Sequence, residues 1–200
     1  MFRVWAMPIV VVDYDSQWPK VYEQLRSQIW PAIEDIAETM EHVGSTSVPG
    51  LAAKPIIDVT IIAADPDRLG LVIQRLGANG YHHRGDLGVP GREVFSLPVG
   101  RPYCHLYAGV RSAVAIQNHL VLRDRLRANR DLAAAYGRLK KELALRFSND
   151  IDGYIAGKTE FILSVLRDAG FASSDLEAIA DVNTVAALRR PRDKNISTQN

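Results

Sequence analysis

Apolar residues four apart at Val21, Leu25 and Ile29 lay a single stripe along a segment that Pro19 can open as a helix, ending near Trp30. The pattern then changes. Residues 40–43 read as a short strand running into GSTSVPG, a turn-rich loop. Beyond Lys54 and Pro55 comes IIDVTIIA, a run whose β-branched content and length predict a buried central strand. Asp65 and Pro66 then signal a helix start, and Gly77 or Gly80 its end. From Tyr81 to Val110 short apolar runs alternate with Gly and Pro, which predicts three strands: around Tyr81, over 92–99 and over 102–108.

Three helices are expected over 113–128, 132–147 and 151–169. A further short one is marked by Leu176, Ile179, Val182 and Val185. The start of the chain, VWAMPIVVV at 4–12, reads as a first strand, and the closing PRDKNISTQN as a polar, disordered tail. Strands early and helices late predict an α+β domain, a mixed β-sheet packed against helices with a helical C-terminal half. The βαβ alternation of a dinucleotide-binding domain is missing, as is any GxGxxG.

Composition narrows the partners. The 200 residues are 47% hydrophobic and 24% charged, and 24 Lys and Arg against 23 Asp and Glu leave a net charge of +1. Wholesale attraction to nucleic acid or an anionic membrane wants a strong basic excess, so both rank low. No apolar run approaches the roughly 20 residues of a membrane span. One cysteine, Cys104, excludes an intramolecular disulfide and a multi-thiolate zinc site, which suits a cytoplasmic setting.

The candidate chemistry centres on HVGSTSVPGLAAKPIID, residues 42–58. Gly44 lets backbone approach a ligand, and Ser45, Thr46 and Ser47 offer hydroxyls and amides to phosphate oxygens. Gly50 stands six positions after Gly44 with no Lys-Ser or Lys-Thr pair behind it, so this is no Walker A loop. An ordinary tight turn is the competing reading. Asp58 sits among Ile56, Ile57 and Val59, where a carboxylate is costly unless paired, hydrogen-bonded or bound to a cation.

A Gly-Ser pair, roughly a dozen residues and then an Asp in an apolar strand resembles the nucleotidyltransferase superfamily signature, and the longer string resembles the GrpB family within it. Further likeness lies in Tyr14, Asp15 and Trp18, in Arg92 and Phe95, and in CHLY. It continues through Arg123, Asp124, Leu126 and Arg127, then Tyr136 with Lys140 and Tyr154 with Lys158. It covers residues 8–169. The chain is accordingly divided into a GrpB-like, nucleotidyltransferase-like domain over 1–170 and an extension over 171–200.

The resemblance implies a nucleotide or other phosphorylated small molecule as ligand, with Mg²⁺ or Mn²⁺ as cofactor. Active members of the superfamily carry two carboxylates at i and i+2, which share one face of a strand and hold divalent metals. Here the i+2 position is Thr60, a poor substitute for a hard-cation ligand. Glu93 is the best candidate for a second catalytic and metal-binding carboxylate beside Asp58, and His105 for a further metal ligand. Tyr107 stands where the family has a second His.

Lys54, Arg92 and Arg123 are the candidate phosphate-binding cations, and His42 could orient the loop by hydrogen bonding. The plain reading has Arg123 paired with a helix carboxylate, Lys140 on a solvated face, and His82, His83 and His119 at the surface or structural. Binding is expected ahead of nucleotidyl transfer. The alternative is a non-catalytic accessory, stress or assembly module that keeps the loop as an anion site and meets a protein partner.

Overall fold

The computed structural model describes residues 8–100 and 103–184. Its sheet has five strands: β1 (Ala37–Val43), β2 (Ile57–Ala63), β3 (His82–His83), β4 (Glu93–Ser96) and β5 (Cys104–Val110), in the order β1-β2-β5-β4-β3. β2 runs parallel to β5, and the remaining pairs are antiparallel. The six α-helices are α1 (Trp18–Ile29), α2 (Pro66–Ala78), α3 (Val114–Ala128), α4 (Arg130–Arg146), α5 (Ile151–Asp168) and α6 (Ser173–Val182). The fold is α+β, a mixed sheet packed against helices, with the C-terminal half helical.

Strand alternation divides the core. Val59 and Ile61 of β2 point with Leu106 and Ala108 of β5 toward α1 and α2, where Leu25, Ile29, Val72 and Leu76 complete the main core. Ile62 points the other way, with Val43, onto Ile116 and Leu120 of α3. Asp58 and Thr60 share that α3 face. Behind it α4 and α5 meet through stacked Tyr136 and Phe161, whose ring centres lie 4.6 Å apart, and α6 buries Leu176 and Ile179 against Leu163 and Leu166.

Helix starts follow the punctuation. Pro66 opens α2 behind the Asp65 side chain, which accepts from the Arg68 amide. Asn129 and Asp150 cap α4 and α5 in the same way. Strand expectations change: that over 92–99 shortens to Glu93–Ser96, and β5 continues to Val110. β1 begins at Ala37, three residues before the expected start: the adjacent polar residues Glu38 and Thr39 break the apolar pattern, and the pairing with β2 shifts register between Ala37 and Thr39. The strand expected near Tyr81 is the two-residue β3. Of the strand expected over 4–12, residues 4–7 lie outside the described residues, and the rest makes only a bridge from Val12 to Ala53. Val185 and the PRDKNISTQN tail also lie outside.

Candidate anion-binding site

β1 ends in the loop that opens the site. Gly44 takes φ 68°, and a Cβ there would stand 2.2 Å from Asp58 Oδ2, so both the backbone angle and the close carboxylate demand glycine. Ser45–Ser47 form a turn of 3₁₀ helix. Two of its hydroxyls are committed to the loop itself: Ser47 Oγ donates to the Gly44 carbonyl at 2.7 Å, and Thr46 Oγ1 donates to the Ile56 carbonyl at 3.3 Å. Thr46 Oγ1 also lies 3.0 Å from His42 Nε2. The Thr46 proton is already used, so the network assigns the imidazole proton to Nε2. Burial first, then the charges of Arg127 and Arg123, push the His42 pKa down to about 4 and keep the ring neutral. Thr46 and Ser47 are therefore buried loop supports rather than phosphate donors, and Ser45 is the hydroxyl that lines the groove.

The carboxylate expectations split. Asp58 and His105 are register partners on β2 and β5, and Asp58 Oδ1 lies 2.9 Å from His105 Nδ1. Thr60 is opposite Tyr107, and its hydroxyl lies 3.0 Å from His119 Nδ1. Burial first and then Arg92 push the His119 pKa to about 4, so a neutral imidazole packs where the i+2 carboxylate would need cations.

Glu93 does not join the site. It pairs with Ala108, on the face of the sheet away from Asp58, and its carboxylate lies 2.6 Å from His83 Nε2. Its place as catalytic and metal-binding partner of Asp58 is thereby corrected. The register opposite Ala108 turns Glu93 away from Asp58, while Arg92, just before the strand, reaches Tyr107 on the Asp58 face. Among the described residues no three His, Cys, Asp or Glu side chains are grouped to hold a metal ion. The donors around Asp58 do not fit a carboxylate-bridged pair of divalent ions.

The cations depart further from expectation. Arg92 lies over the Tyr107 ring at 4.8 Å. Arg123 is 10% exposed at its side chain and held by Glu41 at 2.7 Å, Asp124 at 2.7 Å and the His42 carbonyl at 3.3 Å, a structural clamp of β1 onto α3. Lys140, expected on a solvated face, is 2% exposed. Its ammonium donates to the Ala52 carbonyl and lies 4.6 Å from the centre of the Tyr136 ring.

Lys158 and Lys54 flank the Tyr154 ring, at 4.6 and 5.9 Å from its centre. Burial is the main cause of depressed pKa values at all three lysines, and repulsion by a neighbouring lysine adds to it at Lys140 and Lys158. Lys140 falls to about 7 with Lys158 as the repelling neighbour, Lys158 to about 8 with Lys54, while Asp58 opposes the fall at each. Sequence reasoning passed over Lys140 and Lys158 as site residues. The signal was present: Tyr136/Lys140 and Tyr154/Lys158 repeat one i, i+4 spacing on successive helices.

Lys158, Ser45, Gly44, Asp58, His119 and Asn183 line a cleft of about 240 Å³; Lys54 shares the Tyr154 ring with Lys158, and Lys140 lies against Tyr136, itself a lining residue. A Gly-Ser loop, one carboxylate and nearby lysines at one end of a mixed sheet make up the candidate site of this α+β protein. The chain belongs to the GrpB family, whose model, described as GrpB protein, matches residues 8–168.

The chain is 36% identical over 167 residues to a UPF0157 protein of Streptomyces coelicolor, covering 84% of this chain and 87% of that one. It is 31% identical to the UPF0157 protein YqkA of Bacillus subtilis, over 80% of this chain but 47% of that protein's length. It is 27% identical to a dephospho-CoA kinase of Mycolicibacterium paratuberculosis, over 81% of this chain and 46% of that enzyme. The crystal structure of conserved protein GrpB from Enterococcus faecalis superimposes with a TM-score of 0.68 at 30% identity, over 86% of this chain and 98% of that one. A looser likeness, TM-score 0.47 at 17% identity over 68% of this chain and 45% of the other, is to a Cid1 poly(U) polymerase with MgGTP bound.

Proposed function

We propose that the protein binds a phosphorylated small molecule, a nucleotide or a coenzyme built on one, in the cleft between Ser45, Asp58 and Lys158. One observation carries this reading: Lys158 lines the cleft with Asp58 and Ser45, and Lys54 lies against the same Tyr154 ring, a close pair of cations whose repulsion a phosphate dianion would offset. The Gly44–Ser45 corner brings backbone to the ligand, and Lys158 acts as a point charge on its oxygens. The match to a dephospho-CoA kinase supports a nucleotide or coenzyme A context. The setting we propose is cytoplasmic, consistent with one buried free cysteine, Cys104. Among the described residues no helix is long and apolar enough to cross a membrane.

Nucleotidyl transfer is the weaker half of this reading. Asp58 already engages His105, and Thr60 engages His119, so Mg²⁺ or Mn²⁺ would enter with the ligand's own phosphates and meet one protein carboxylate. That same arrangement favours the second reading, an accessory or assembly module that binds the anion without turning it over.

Thermal unfolding with each nucleoside triphosphate, coenzyme A and inorganic phosphate tests the proposal, with and without Mg²⁺ or Mn²⁺. A ligand at a hundred times its dissociation constant stabilises the folded state by about 2.7 kcal/mol. Stabilisation that persists in chelator and is lost in Lys158→Gln is the expected outcome. Label transfer abolished by Asp58→Ala would instead establish catalysis. No response to any phosphorylated compound would sink both.

A further inference from the structure

The loop after β1 crosses from one face of the sheet to the other, and a second groove lies on its far side. Gly44 and Ser45 stay with Asp58, whereas Ser47, Pro49 and Gly50 turn toward α1. There they close a cleft of about 910 Å³ with α1, the end of α3 and the first turn of α4. Leu126 forms a wall of both grooves, and none of the three lysines lines this one. Its volume falls within the range of sites for small ligands.

The chemistry of the walls is mixed in a directed way. Arg127 is exposed, yet its guanidinium is already fixed, donating from Nε and Nη2 to the Ser47 carbonyl at 3.0 and 2.9 Å. A cation held in place loses little side-chain entropy on meeting an anion. Arg130, also exposed, stands at the start of α4, where the positive end of the helix adds to its field. Glu23 is the acidic group facing them. Aromatic and apolar side chains supply the rest of the lining. Tyr14 packs edge-on to Trp18 at 5.3 Å between ring centres, and Pro49, Leu126 and Ala133 extend the surface. Tyr22 stacks on His42 at 4.8 Å with its hydroxyl donated to the Met40 carbonyl, so this wall is rigid.

We propose that this groove is a second ligand site, separate from the lysine cleft, for a small molecule carrying a flat ring and a phosphate or carboxylate. The ring lies on Tyr14 and the apolar lining, and the anion meets Arg127 and Arg130. The site does not rest on the function proposed for the lysine cleft. Both grooves read the same loop: Arg127 holds the Ser47 carbonyl, and the Ser47 hydroxyl holds the Gly44 carbonyl. Occupancy of one is thereby linked to the shape of the other.

Amide chemical shifts of the full chain test this with 1-naphthyl phosphate, 1-naphthoate and inorganic phosphate as probes. Saturable shifts at Gly50, Ala133 and Ala134 with a ringed anion, at concentrations where inorganic phosphate leaves them unmoved, are expected. Arg130→Glu should weaken that response at least tenfold, while Arg138→Glu, an exposed charge reversal on the same helix outside the groove, should not. Response to either ringed anion supports the site and shows which anion it prefers. No response at these amides, an equal response to inorganic phosphate, or indifference to Arg130→Glu overturns it. Shifts at Ile155, Lys158 and Ile162, which line the lysine cleft from α5 away from the shared loop, report that cleft separately, so failure of one site is read independently of the other.

Discussion

Gly44 shows how tightly one residue holds the site together. A side chain there must accept a positive φ and displace Asp58, whose Oδ2, Cγ and Cβ all lie within 2.9 Å of the position a Cβ would occupy. Gly44→Ala should therefore cost about 2–5 kcal/mol of stability, from backbone strain and overpacking together, measured by urea denaturation. The penalty should shrink in an Asp58→Ala background, where the carboxylate has gone; equal penalties in both backgrounds would show that the contact is not the cause. Gly44 and Asp58 were both legible in the sequence, because a Gly-Ser turn before an apolar strand is a local pattern. Thr46 and Ser47 were misread for the same reason. Their residue types fit phosphate, but whether a hydroxyl faces ligand or its own loop depends on the carbonyls of Ile56 and Gly44, which only the folded loop brings within reach.

At the scale of elements, period-two alternation correctly places Asp58 and Thr60 on one face of β2, as any strand assignment would. Alternation alone could not place Glu93, since its face is set by pairing with Ala108 of β5, a register between distant strands. Helix periodicity found α3, α4 and α5 but could not say which of their faces surround the loop. α6 presents a case that can be measured. It docks through Leu176 and Ile179, and its C-cap, Asn183, lines the lysine cleft. Leu176→Ala or Ile179→Ala should cost about 2–5 kcal/mol if α6 unfolds with the rest of the protein. Each should also weaken phosphate binding by freeing the cleft's edge. Binding that is untouched by a destabilising α6 substitution would mean the helix serves stability alone.

Over the whole molecule, a net charge of +1 conceals strong local asymmetry. Lys140 and Lys158 fall from 10.5 to about 7 and about 8 in the folded state. Between roughly pH 7 and 10 the unfolded chain then holds protons that the folded chain has released, so ligand-free stability should rise across that window. Above pH 10 the buried hydroxyls of Tyr22 and Tyr154, pushed up to about 12, act in the opposite direction. Chemical denaturation from pH 6 to 11 should show a maximum near pH 9–10, and a flat or falling curve between 7 and 9 would contradict the lysine cluster. Phosphate binding at pH 8 should take up protons as the anion recharges these amines, which calorimetry in buffers of different ionisation enthalpy can read. The sequence by itself determined the family, the α+β class, the loop and Asp58, because each is written in contiguous residues or regular periods. Only the tertiary structure decided the rest: that Glu93 faces away, that Arg123 is a clamp, and that Lys54, Lys140 and Lys158 converge. Those facts depend on strand parity and on packing α4 and α5 against the loop, contacts between residues as much as a hundred positions apart, which no local pattern encodes.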